Sequence, residues 1–318
     1  PTEIYLSDGK TLEDYRNIPG KDWEGKITTV APMQNYNFSA RGGNENTKYS
    51  FSGSYTGQDG IIINSNYTRY QGRLKIDQTI NKKLKIGFNT NYSHLAQSGI
   101  SPSQSQFSNA TNIMYSVWGF RPLDNPGTNL DEELLDPDVN ASIDYRTNPY
   151  INLTNLHRHN TTKNLNTIAY LEYNILPDLK LKVTSGVNET RIERQSFNNS
   201  KTQYGRPGSA NGINGSINYT QRSNWLNENT LTWNKKFDKK NLLNIVGGFT
   251  LQEETSKNYG VSANQIPEQY EVLGLNGLQY GTQLRVDTFE SIWTMASFLG
   301  RVNYTFDSKY ILTASMRA

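Results

Sequence analysis

The stretch Trp118-Gly119-Phe120-Arg121-Pro122-Leu123-Asp124 brings two aromatic faces, a guanidinium and a carboxylate within seven positions. Aromatic faces stack on sugar rings, and an Arg beside an Asp can hydrogen-bond hydroxyls or grip a peptide. Trp118, Phe120, Arg121 and Asp124 are therefore the leading candidates for substrate contact, the alternative being that Trp118 and Phe120 only anchor a loop. Tyr204 and Arg206, in Tyr204-Gly205-Arg206-Pro207, and Tyr259 are further candidates from other polar excursions. His157-Arg158-His159 puts two imidazoles on one face of an extended segment. A metal site would want more ligands than that, so no metal and no cofactor is expected. There is no Gly-x-Ser-x-Gly and no Cys nucleophile. The acids Asp131-Glu132-Glu133 and Asp136-x-Asp138 read as a solvated run rather than a glycosidase pair. The chemistry points to binding, not to an enzyme.

These candidates sit between segments of a different kind. Leu179-Lys180-Leu181-Lys182-Val183-Thr184-Ser185-Gly186-Val187 alternates apolar with polar or small residues, as do Tyr49–Tyr55 and Leu84–Asn89. Such a strand shows one face to an apolar phase and the other to water. The mean hydropathy of −0.71 would suit a disordered chain. Tyr 20, Phe 11 and Trp 5 argue against that. A membrane β-barrel reconciles both facts, because only alternate strand residues need be apolar. No run of about 18 apolar residues marks a spanning helix. With 32 basic and 29 acidic residues, the net charge of +3 gives no case for nucleic acid. Cys 0 excludes disulfides and thiolate metal sites.

The alternation predicts strands near 33–43, 47–57, 66–80, 84–96, 162–175, 179–191, 223–236, 241–253, 292–306 and 309–318. Short connections fall at Gly43–Asn46, Asn81–Lys83, Leu176–Asp178, Phe237–Lys240 and Asp307–Ser308. Long ones fall near 97–161, 192–222 and 254–291, with a smaller one at Gly57–Ser65. The two kinds alternate strictly, which sorts short turns to one side and long loops to the other, as in an outer-membrane barrel. Leu165, Ala169, Leu171 and Tyr173, then Leu243, Ile245, Phe249 and Leu251, then Tyr310, Leu312, Ala314 and Met316 read as the greasy face. Asn164, Asn166, Glu172, Lys180, Lys182, Arg301 and Asn303 read as the wet one. Tyr173, Trp233, Tyr304, Phe306 and Tyr310 cluster near short turns, where amphipathic rings suit a water–lipid boundary. Residues 1–32 lack alternation and read as a segment leading into the barrel, with a short helix near Leu12–Arg16; a second helix is expected over Phe107–Trp118. About ten strands with open edges cannot stand in hydrocarbon, so the chain reads as an internal piece of a longer barrel.

Several phrases carry a resemblance. Lys21-Asp22-Trp23, Ala31-Pro32-Met33-Gln34-Asn35-Tyr36 and Gln58-Asp59-Gly60-Ile61-Ile62 resemble the SusC/RagA family of TonB-dependent outer-membrane transporters. So do Arg69-Tyr70-Gln71-Gly72-Arg73-Leu74 and Phe298-Leu299-Gly300-Arg301-Val302-Asn303-Tyr304. The resemblance implies an all-β, antiparallel transmembrane barrel of 22 strands around a plug, of which this chain supplies about ten. It implies import of oligosaccharides or peptides, driven by TonB, with a SusD-like surface lipoprotein as lid. The plug and TonB box of that family are not among these residues. Surface adhesion and passive diffusion are the competing expectations.

Overall fold

A computed structural model describes residues 9–100, 113–124, 129–137 and 146–318. Its frame is one antiparallel sheet of ten strands in sequence order. The strands are β1 (Met33–Gly43), β2 (Thr47–Asp59), β3 (Asn66–Thr79), β4 (Leu84–Ser98), β5 (Leu156–Leu176), β6 (Leu179–Asn198), β7 (Asn214–Lys236), β8 (Asn241–Asn264), β9 (Gln283–Phe306) and β10 (Tyr310–Arg317). Every predicted strand is present, and the short turns stand where the alternation placed them.

The strands run further than expected at their other ends. β8 continues to Asn264 rather than stopping at 253, and β9 begins at Gln283 rather than 292. In β8 the added stretch Glu254–Asn258 is polar on both faces, so ladder bonds rather than a hydrophobic period extend the ribbon there. In β9 a weak alternation persists, with Leu284, Val286 and Ile292 on one face, broken by Glu290 on that face and Phe289 on the other.

The register places the anticipated greasy residues on a single face. Leu171 opposes Val183 and Ile86, Phe249 opposes Asn229 and Phe298, and Leu312 opposes Tyr304. Directly opposed residues share a face, so this surface is continuous from β1 to β10. Tyr173, Trp233, Tyr304, Phe306 and Tyr310 all lie on it at the short-turn end. It stays uncovered: Phe298 is 64% exposed, Leu312 70% and Met316 75%. Toward the short turns no second sheet or helix packs over it among the described residues; only at the long-loop end does the 3-10 segment Glu268–Tyr280 cover it, at Phe197, Ile217, Val261 and Ala263.

The opposite face holds the polar residues. On it, Asp77 (β3), Gly87 (β4) and Tyr170 (β5) form one cross-strand row. The Tyr170 ring lies across the glycine, and its hydroxyl donates to Asp77 Oδ1 at 2.5 Å. Lys85 and Lys182 stand over the same ring at 5.7 and 5.1 Å.

All long connections share the other end. There the short helices α1 (Trp23–Ile27), α2 (Ile113–Gly119) and α3 (Pro149–Asn155) pack together. The 3-10 turn Leu12–Tyr15 confirms the short helix expected there, while the Phe107–Asn112 part of the other expected helix lies outside the described residues. Residues 9–32 enter β1 from this end and are pinned by the Thr28–Ile62 bridge.

The glycine contact yields a test. Gly87→Val displaces the Tyr170 ring and should lower unfolding stability by about 1–3 kcal/mol, the cost of stranding a buried hydrogen-bonding partner. Gly300→Ala, with open space around its Cα, should stay within about 0.5 kcal/mol. Urea unfolding of the full-length protein in lipid vesicles reads both.

Candidate functional site

The excursion between β4 and β5 folds onto residues 9–32 through a small core. Ile113 and Val117 are one helical turn apart on α2, so both point the same way. They bury with Trp23, Ile27, Ile62, Phe120, Leu130 and Leu153, and Met114 packs alongside. Ile113, Met114 and Val117 thus form the apolar side of the helix. Phe120 meets Trp23 edge to face, with ring centroids 5.4 Å apart. The Trp23 Nε1–H donates to the Arg121 carbonyl at 3.0 Å.

Ion pairs surround this core. Arg121 Nη2 lies 2.8 Å from Asp136 Oδ1, with both side chains buried. Lys21 Nζ bridges Asp124 at 2.8 Å and Asp131 at 2.9 Å, and Lys26 also bonds Asp131. Asp124 further accepts from the Leu130 N–H at 3.0 Å. Burial works against charge on Lys21, but the hydrogen bonds from its two carboxylates outweigh it and raise the ammonium pKa. Asp131 shows the mirror case: burial opposes its charge, and the bonds from Lys26 and Lys21 hold its pKa below the ordinary value.

The candidate residues therefore part company. Phe120, Arg121 and Asp124 are engaged within the loop's own fold, which for Phe120 is the anchoring alternative. Trp118 is 73% exposed at the end of α2 and free to meet a ligand face. Tyr204 and Arg206 lie in the turn between β6 and β7. The Tyr204 carbonyl accepts from Asn214 Nδ2 at 3.0 Å, Arg206 Nη1 donates to the Gln203 carbonyl at 2.5 Å, and the Tyr204 ring is half exposed. Tyr259 stands not in a loop but on β8, opposite Tyr219, on the same face as the greasy band. Sequence reasoning overlooked Lys21, Trp23 and Lys26 as the groups that hold the excursion down. Their partners lie about a hundred residues away, and no local spacing reports that.

The geometry belongs to a barrel wall, and comparison with known proteins agrees. The chain is 28% identical over 315 residues to TonB-dependent receptor P3 of Formosa agariphila, covering 96% of this chain and 30% of that relative. It is 25% identical over 300 residues to TonB-dependent receptor P39 of the same organism, covering 93% and 27%. It thus spans about three-tenths of the length of such relatives. Among solved structures, the RagAB peptide importer superposes with a TM-score of 0.74 at 20% identity, over 99% of this chain and 35% of that one. No family model matches the chain. The resemblance read from the strand phrases is borne out. The chain is a partial antiparallel barrel wall of the bacterial outer membrane, and its greasy face meets lipid.

Two outcomes follow for the loop core. Phe120→Ala should cost this core about 3–5 kcal/mol, the usual loss for a buried phenylalanine, seen as faster hydrogen exchange over 113–137 in the full-length protein. A depressed carboxylate contributes above its ordinary value and is lost as pH falls through its folded value. The Asp131 contacts should therefore hold at neutral pH and loosen only below the ordinary 3.8, while those of the raised Lys21 persist past 10.5. Trp23 fluorescence against pH checks both limits.

Proposed function

We propose that this chain forms part of the wall, the inner lining and the outward loops of a TonB-dependent importer of a bulky nutrient, an oligosaccharide or peptide. The observation that carries this reading is the sorting of the fold. One face is greasy and, toward the short turns, uncovered, the other is polar, the short turns share one end, and packed loops crown the other. A passive anchor would need the greasy face but not a folded loop end with an exposed Trp118. The open outer edges of β1 and β10 carry backbone groups that hydrocarbon cannot satisfy, so further strands from the same longer protein complete the wall.

In this reading residues 1–32 lead into the wall and 33–318 belong to it. A plug fills the lumen, TonB pulls on it, and a SusD-like lipoprotein closes over the loop end. RagAB is described as a peptide importer, and this supports the same class of task here. Of the candidate residues, Trp118 is assigned direct contact with the nutrient, with Tyr204 and Arg206 as secondary candidates from the turn between β6 and β7. Phe120, Arg121 and Asp124 hold the platform, and Tyr259 is the weakest candidate because it faces outward.

Trp118→Ala in the full-length protein should weaken nutrient binding about tenfold, roughly 1.4 kcal/mol, with barrel assembly intact. Calorimetry on the purified complex reads the affinity, and heat-modifiable gel mobility reads assembly. Unchanged affinity removes Trp118 from the site.

A further inference from the structure

The two faces of the sheet differ in charge as well as in polarity. On the greasy face basic and acidic residues are about equal, whereas on the polar face there are roughly three basic residues for each acidic one, enough to bias an enclosed passage toward anions. Several of those cations are unspent. Arg41, Lys48, Arg69, Arg194, Arg222 and Arg301 are all exposed, and none has a hydrogen-bond or ion-pair partner among the described residues. Rings of Arg and Lys are how pores favour anions.

The same face carries an ordered row. Asn91 opposes Asn166, Asn166 opposes Asn188, and Asn188 opposes Asn224. Beyond them the row continues to Glu254 and then Trp293, which is 45% exposed. Asn224 donates to Glu254 at 3.4 Å. From Asn91 to Trp293 the row crosses five strand spacings, about 24 Å, a length suited to an oligomer. Asn91 Oδ1 already accepts from Gln71 Nε2 at 3.0 Å and Asn188 Oδ1 from Asn164 Nδ2 at 3.2 Å, so the row offers chiefly the amide N–H groups of Asn91, Asn166 and Asn188 to hydroxyl oxygens. Trp293 supplies a flat face for a ring. Arg222 sits two residues from Asn224 on the same face, and Arg194 lies further along β6.

We propose that this row, Asn91–Asn166–Asn188–Asn224–Glu254–Trp293 with Arg222 beside it and Arg194 about 20 Å further along β6, is a subsite on the lumenal wall for an acidic oligosaccharide. It deepens the import reading and rests on it. The amides meet sugar hydroxyls, Trp293 meets a ring face, and the guanidiniums meet carboxylate or sulfate groups, in bidentate fashion where geometry allows. An acidic peptide would use the cations and could pair its backbone amides with the same row, so the oligoglutamate arm of the test separates the two.

The test is calorimetry on the full-length complex without energisation, so that a failure of TonB coupling cannot mimic its failure. The probes are an oligogalacturonate, a neutral galacto-oligosaccharide of equal length and an oligoglutamate peptide. The acidic sugar should bind about tenfold tighter than the neutral one, and that preference should shrink with salt. Arg222→Gln with Arg194→Gln should erase the preference, the Arg→Lys pair should restore part of it, and Trp293→Ala should weaken both sugars together. Equal binding of the two sugars, an unchanged preference in the Gln variant, or tighter binding of the peptide would each overturn the proposal. So would a Gln variant that binds normally but leaks ions in planar bilayers, since the cations would then be holding a protein segment in the lumen. If the double Gln variant fails to assemble, Arg222→Gln alone must still cut the preference by at least half.

Discussion

Every peptide group that crosses hydrocarbon must find its hydrogen-bond partner within the protein, because lipid offers none. An unpaired N–H or C=O costs several kcal/mol there. The ten-stranded ladder is the response to that constraint, and most other features follow from it. Neighbouring strands satisfy one another in sequence order, so connections can be short at one end. Side chains then have only two directions available, toward lipid or toward the lumen. The alternation that produces those directions needs no interior core, which is why a chain with so few apolar residues folds at all.

The consequences differ with height along the strands. Where lipid surrounds the sheet, one face is mostly apolar, with a few polar residues such as Asn227, Asn229 and Ser185, and aromatic rings gather at its short-turn rim. Above the lipid, the ladders of β5 to β9 continue with mostly polar residues, apart from apolar side chains such as Phe197, Ile217, Val261, Leu284 and Val286. Here water satisfies what the strands do not, and small cores can form. The helices α1, α2 and α3 do so around Trp23 and Phe120. A second core joins Phe197, Ile213, Ala263, Ile266 and Leu278 over the ends of β6 to β8. Asn152 and Asn155 tie the two together through Gln203 and Asn199. The loop end is therefore a built surface rather than a set of loose excursions, and an exposed Trp118 is held in a defined place upon it.

Function, in this view, is divided between two levels. At the loop end Trp118 is exposed. The lumenal wall presents cations and amides in register. A nutrient arriving at the first would meet the second on its way inward, with the lipid-facing side contributing only anchorage.

The sequence alone determined the period-two ribbons, the sorting of turns from loops, the membership of each face and the resemblance that named the family. Those signals are local, since an alternating strand such as Leu179–Val187 declares its two faces without reference to anything else. Only tertiary structure decided which residues meet across strands and across loops. Phe120 is buried because Trp23, far away in sequence, lies beneath it; Tyr259 faces outward because β8 runs on past the lipid. Asn91, Asn166, Asn188 and Asn224 form one row because antiparallel register brings them level. Register is set by the sum of many ladder bonds and turn geometries, and no single stretch of residues carries it.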